Sequence, residues 1–440
     1  MVIKRLRYVF ALLLMLLSAS VFAVPQIQHW TTANGARVYF LPADELPMVD
    51  VRVVFDAGSA RDNGTPGVAL LTNGMMPEGA GGLSAQQLAE RFEAVGAQFG
   101  NGALRDMAWL SLRSLNQPRL LQPALANMKT ILSHPDFPKA AYQRELGRMK
   151  IGLQSRKQSP GDVAEEAFYN ALYGDHPYAT PVGGTEDSLA RMSLDDLRKH
   201  YAQYYVARNA VVAIVGQLSR QQAEQLAGDL LADLPAGERA KALPPVKPLT
   251  ESKTIRIDFP STQSHLLMGQ LGMHRGDPDY FTLYVANHPF GGSGFASRLV
   301  GEVREKRGLA YSVYSYFLPM RLDGPFQLGL QTRNDQVDEA LGIVREQLDE
   351  YVQQGPTAQE LDASLKNITG GFPLRVDSNR KLVEYLAMIG FYDLPLDYLN
   401  QFNRRVSAVN RDNIRSTLQR RLHPDHMVTV IVGQQAGGEG

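Results

Sequence analysis

Residues 193–216 and 410–433 align without a gap, and this duplication constrains the fold more than any other feature of the chain. Asp195 meets Asp412, Leu197 meets Ile414 and Arg198 meets Arg415. Val211, Ile214, Val215 and Gly216 meet Val428, Ile431, Val432 and Gly433. Each copy is a helix start, an amphipathic helix and a V-x-x-I-V-G strand. The offset is 217 residues (410 against 193), too long for a stacked solenoid, so it implies two homologous domains. Both halves mix strands with long helices, and successive strands are joined by short turns. That pattern predicts an α+β fold: two α/β domains, each a mostly antiparallel sheet covered by helices, joined by a linker.

Composition leaves room for two such cores. The chain has 440 residues, 44% hydrophobic and 20% charged, which suits a folded protein. Lys plus Arg equals Asp plus Glu at 45 each, so there is no electrostatic footprint for a nucleic acid. Cysteine is absent, which excludes disulfides, thiolate metal sites and a Cys nucleophile. Residues 1–23 read as a cleavable signal peptide. Lys4, Arg5 and Arg7 form its basic start, Tyr8 to Leu17 its apolar stretch, and the V-F-A ending at Ala23 its cleavage site. An exported, periplasmic protein is expected, with no stable membrane insertion after cleavage. The domains then run over 24–231 and 254–440. Residues 232–253 join them, rich in Pro and charge and without period.

Within the first half, Arg37 to Leu41 and Val49 to Phe55 read as strands, and Val68 to Met76 as a helix. Ser84 with Gln87 three later is a capping box opening a helix from Ala85. Residues 96–112 read as strands. Helices are expected over 119–133, 139–157 and 162–173, and from Ser193, before the strand Val211 to Gly216. In the second half, a glycine-rich turn (Gly291, Gly292, Gly294) leads into a short helix. Phe295, Leu299 and Val303 share one face of it, Glu302 and Lys306 pair at i, i+4, and Gly308 stops it. A strand follows, with Tyr311, Val313, Ser315 and Phe317 on one face. Arg304 and Tyr311 then flank one turn, and spacing alone makes them a helix-capping cation and a core phenol.

No complete catalytic constellation occurs. H-E-x-x-H, H-x-x-E-H and G-x-S-x-G are absent, and G-G-S-G lacks the Gly-Lys-Ser/Thr of a phosphate loop. His423 and His426 in H-P-D-H read as turn residues, and His176 as a packed loop residue.

The segment G-G-S-G-F-A-S-R-L followed by V-R-E-K-R-G-L-A-Y-S-V closely resembles the C-terminal-domain signature of the pitrilysin/insulinase-type metallopeptidases, which include the mitochondrial processing peptidases. The resemblance extends to G-N-G-A-L-R-D-M-A-W and Y-G-D-H-P-Y-A-T-P-V-G-G-T in the first half, and so spans the mature chain. It implies that Arg304 and Tyr311 face a zinc site, bind substrate backbone and stabilise the oxyanion. It also exposes a departure. Catalytic members carry G-x-x-H-x-x-E-H where this chain has Gly67 to Gly74, so Leu70 and Gly74 replace the two His ligands and Asn73 replaces the general-base Glu. The third ligand would fall near Ile151 and Gly152. None of these can bind zinc or take a proton from water. The resemblance therefore implies the non-catalytic, substrate-binding subunit of a heteromeric zinc metallopeptidase. Zinc would lie in a homologous partner bearing H-x-x-E-H, to which this chain donates Arg304 and Tyr311. Peptide or unfolded protein would lie as an added strand along the edge at residues 100–110. The alternative is an inactive scaffold or peptide-binding protein with no peptidase role. The empty motif argues against a self-sufficient peptidase.

Overall fold

The computed structural model describes residues 26–434, and the leader read at 1–23 lies outside them. The first half contains β1 (Gln28–Thr31), β2 (Arg37–Pro42), β3 (Met48–Phe55), a two-residue hairpin β4 (Gly79–Ala80) and β5 (Leu83–Ser84), β6 (Gln98–Ala103), β7 (Ala108–Leu115) and β8 (Ala210–Gly216). The second contains β9 (Lys253–Asp258), β10 (Gln263–Leu271), β11 (Ala310–Phe317), β12 (Pro325–Arg333) and β13 (Val428–Gly433). The first sheet has the order β1-β2-β8-β3-β7-β6 and the second β11-β12-β10-β13-β9.

Read from the edge, β6-β7-β3-β8-β2 and β11-β12-β10-β13-β9 are the same arrangement. The strands ending each repeat, β8 and β13, pair antiparallel with β3 and β10 and parallel with β2 and β9. The duplication seen over 24 residues thus extends to whole sheets. Both V-x-x-I-V-G strands are buried at every position, which is why they carry continuous apolar side chains rather than an alternating pattern.

The halves exchange a helix. Pro160–Tyr173 belongs to the first half but packs on β10 and β13. Its Phe168, Tyr169 and Leu172 share a core with Leu267, Val428, Val430 and Val432. Its counterpart Asn379–Phe391 packs on β3 and β8, where Leu386, Ile389 and Phe391 join Val54, Val211 and Val215. Gly390 permits this approach, since a Cβ there would sit 2.5 Å from the Tyr39 ring. Each sheet therefore completes its core with a helix of the other half, so the halves are not beads on a tether. Residues 232–252 carry neither helix nor strand and are held in place. Lys241 and Pro244 carbonyls accept from Arg61 (2.7 Å) and His176 (2.9 Å), and Leu243, Val246 and Leu249 pack on the second sheet's core.

Asp106 fastens the two halves. Its buried carboxylate accepts from the Tyr178 hydroxyl (2.5 Å) of the first half, and from the Tyr392 hydroxyl (2.9 Å) and Arg321 amide (2.8 Å) of the second. Among the described residues no helix is long and apolar enough to cross a membrane.

His200, on the inner face of helix Leu194–Tyr204, contacts the Ala57 carbonyl at 3.3 Å, and burial pushes its pKa down to about 4. The folded-state value lies below the unfolded one, so the stability it supports is complete above pH 6.5 and is lost as pH falls through 4, about 3 kcal/mol in all. Burial moves Asp62 the other way, up to about 7, so Asp62 increasingly disfavours folding as pH rises from about 4 to about 7. The comparison with His200→Gln isolates the imidazole. In denaturant unfolding from pH 6.5 to 4, wild type loses about 3 kcal/mol relative to the variant. Parallel curves would remove this role.

Candidate functional site

The stretch from 287 to 317 is irregular where a regular helix was expected. His288–Gly292 and Val300–Glu305 are π-helical turns, with a 3-10 turn, Gly294–Ala296, between them. Ser297 is extended, so the helical period breaks after Phe295. Leu299 and Val303 are fully buried while Phe295 is 73% exposed, which corrects the shared face predicted for the three. Gly291 lies against β11, where a Cβ would come within 2.6 Å of the Ser315 amide. The predicted Glu302–Lys306 pair forms at 2.5 Å, and Gly308 ends the turn with φ +65°. Arg298 of S-R-L is structural: it makes a two-pronged pair with Glu360 (3.1 and 2.8 Å).

Tyr311 also departs from the expected alternation. Ala310 pairs with Thr332 and Ser312 with Gln331, so Tyr311 is an extra, unpaired residue in β11. A bulge of this kind re-aims its side chain. Val313 and Ser315 point inward, while Tyr311 is 80% exposed. The Arg304 guanidinium sits over the Tyr311 ring at 4.9 Å and over the Phe295 ring at 5.0 Å. Each such contact is worth about 0.5–1 kcal/mol at an exposed site. Among the described residues, neither the Arg304 guanidinium nor the Tyr311 hydroxyl has a hydrogen-bond partner or an ion pair. The sequence placed the cation and phenol together, but missed Phe295 as the third member and the bulge that exposes the phenol.

Helix Val68–Met75 carries the positions at which the resemblance expects the zinc motif. The Asp62 carboxylate accepts from the amides of Gly67 (2.8 Å) and Ala69 (3.0 Å) at its start. Leu70 packs at the margin of the first core. Gly74 is exposed with open space around it. Ile151 is 69% exposed and Gly152 is likewise open. None of these four side chains offers a donor atom, so the site does not fit zinc. Asn73 is fully buried and used structurally. It donates to the Trp109 carbonyl (3.3 Å) and the Tyr205 hydroxyl (3.2 Å), and its side-chain and main-chain oxygens accept from Asn101 (3.0 and 2.8 Å). The residue expected in the general-base position thus ties the helix to β6. Elsewhere, His274, Asp277 and Asp323 lie close enough to share an ion. Arg421 already occupies both Asp277 oxygens (3.1 and 2.6 Å).

β6 and β11 are the matching free edges of the two sheets. The edge expected at 100–110 narrows to Gln98–Ala103, because Leu110 lies on β7, paired on both sides by β3 and β6.

Duplicated sheets, an exchanged helix pair and expected zinc positions without donor atoms make a metallopeptidase-like architecture whose first-half helix does not fit the metal. Residues 40–186 match the family profile for insulinase (peptidase family M16), and residues 191–368 that for the peptidase M16 inactive domain. A solved peptidase M16 inactive domain from Pseudomonas fluorescens is 40% identical, covers 94% of this chain and 100% of its own, and superposes with a TM-score of 0.91. The chain belongs to the M16 (insulinase) family. Among its relatives, a protein of Helicobacter pylori called a non-peptidase homolog, YmxG, is 24% identical over 89% of this chain and 90% of its own length. A Bacillus subtilis protein described as an uncharacterized zinc protease, also YmxG, is 25% identical over 92% and 98%.

Proposed function

We propose that this chain is the non-catalytic, substrate-binding subunit of a periplasmic, two-chain zinc peptidase. One observation carries the reading: a half-buried Arg304 and an exposed Tyr311 are held together, without polar partners among the described residues, in a chain whose expected ligand positions are apolar. A cation and a phenol in that state suit a peptide carbonyl and the oxyanion developing on it. The homologous H-x-x-E-H partner would supply zinc, which polarises the carbonyl and activates water. Arg304 and Tyr311 would approach from this chain, with substrate lying as a strand along β6 or β11. The leader expected at 1–23 supports export of this chain to the compartment in which the partner would have to lie.

A second reading, a peptide-binding scaffold with no peptidase role, draws support from Asn73, whose buttressing of β6 preserves a strand edge without any chemistry. The isolated chain tests the common ground of the two. Elemental analysis of the purified protein should find no stoichiometric zinc, and peptide hydrolysis should match the buffer blank. Zinc at one per chain, lost with chelator along with activity, would refute both.

A further inference from the structure

Two arginines of the second half line cavities and, among the described residues, pair with no carboxylate. Arg275 and Arg375 both border a chamber of about 400 Å³ and a neighbouring one of about 500 Å³. Between them, on helix Tyr280–Asn287, the rings of Tyr280 and Tyr284 stack 6.1 Å apart at 7°. Arg275 donates to the Tyr280 hydroxyl at 3.4 Å, and Arg375 donates to the Tyr284 hydroxyl at 2.7 Å. The Nε of Arg275 is buried with no hydrogen-bond partner. Among the described residues neither guanidinium has a carboxylate within 4 Å, and Glu384, the acid in the lining, lies 3.6 Å from Arg52. Lys381, also in the lining, is held by Asp377 at 2.9 Å. The remaining wall is aromatic and apolar, with Met388 and Phe402 among it.

Uncompensated guanidiniums beside phenol donors and apolar walls make a receptor for a planar oxyanion attached to an apolar body. Arginine meets a carboxylate through two parallel N–H···O bonds, the strongest ordinary hydrogen-bonding arrangement. The larger chamber is also lined by Ser315, Phe317 and Leu318, at the far end of the strand that carries Tyr311. At ~3.3 Å rise per residue, Phe317 lies about 20 Å along β11 from Tyr311. We infer that Arg275 and Arg375 hold the C-terminal carboxylate of a peptide, anchoring it beside the edge strand on which Tyr311 stands. This rests on the peptide-handling reading above and names the end of the peptide that is recognised.

Titration calorimetry of the full chain, without a partner, tests the assignment. The probes are an N-acetylated hexapeptide ending in phenylalanine, as free acid and as amide, and inorganic phosphate. The acid should bind at least tenfold more tightly than the amide, and Arg275→Gln and Arg375→Gln should each erase that preference. Circular dichroism reports whether each variant is folded. If either unfolds, Arg375→Lys, which keeps the charge and loses the fork, should reduce the preference without abolishing it. Equal binding of acid and amide overturns the inference, as does phosphate binding with no acid preference, or a preference that survives both Gln variants. Turnover of the two-chain enzyme that ignores Tyr311 beside an intact acid preference would discard the subunit reading and keep this site. The reverse outcome would discard this site alone.

Discussion

Tyr311→Phe should leave the chain folded and cut turnover of the proposed two-chain peptidase about 10²–10³-fold, the usual cost of one oxyanion donor. The hydroxyl has no hydrogen-bond partner among the described residues and the ring is 80% exposed. Its removal should therefore move stability by less than about 0.5 kcal/mol. Phenylalanine keeps the ring beneath Arg304, so the guanidinium stays where it was. The loss should fall on kcat more than on KM, because the hydroxyl acts on charge present only in the transition state. Arg304→Ala removes the cation held between Phe295 and Tyr311 and should lower kcat/KM by a similar factor with a rise in KM, since a guanidinium also holds ground-state backbone. Steady-state kinetics on the mixed chains reads both. Turnover within twofold of wild type for both variants would end the assignment of this pair.

Asp106→Ala should cost about 3–5 kcal/mol of stability, because it strands several buried groups at once. The Tyr178 and Tyr392 hydroxyls and the Arg321 amide all end on its carboxylate. Burial pushes both phenols far above their ordinary pKa, and the Asp106 charge adds to this, so neither will ionise to escape. Asp106→Asn keeps one acceptor oxygen and should cost less. The effect should appear in denaturant unfolding as one cooperative transition moved to lower midpoint, since Tyr392 and Arg321 belong to the second half and each sheet borrows a helix from the other. Two separate transitions, with only the first-half signal displaced, would contradict the exchanged-helix architecture.

The duplication was legible because the strands β8 and β13 are buried on both faces and must carry the same apolar run, V-x-x-I-V-G. The Ser84–Gln87 capping box was legible for a local reason: a cap acts within a few residues. The exchange of Pro160–Tyr173 and Asn379–Phe391 was not, because an apolar helix face does not state which sheet it covers. That the expected ligand positions do not fit zinc could be read from side-chain chemistry alone, as Leu70, Gly74 and Ile151 have no donor atoms wherever they lie. What Asn73 does instead depends on Trp109, Tyr205 and Asn101, which only the fold brings to it. Tyr311 shows the same limit. Period-two alternation put it on the inner face, and a single extra residue in β11 turned it out. Arg275 and Arg375, 100 residues apart, share a cavity that no local pattern announces.

If this chain completes a peptidase site that it does not possess, titration against a partner measures that directly. A zinc-loaded H-x-x-E-H homologue from the same source is held at fixed concentration, and hydrolysis of a fluorogenic peptide is followed as this chain is added. Activity should rise from near the blank and level off at one chain per partner, and Arg304→Ala or Tyr311→Phe chain should level off at the same ratio with far lower turnover. A partner whose activity is complete alone and indifferent to added chain would contradict the account.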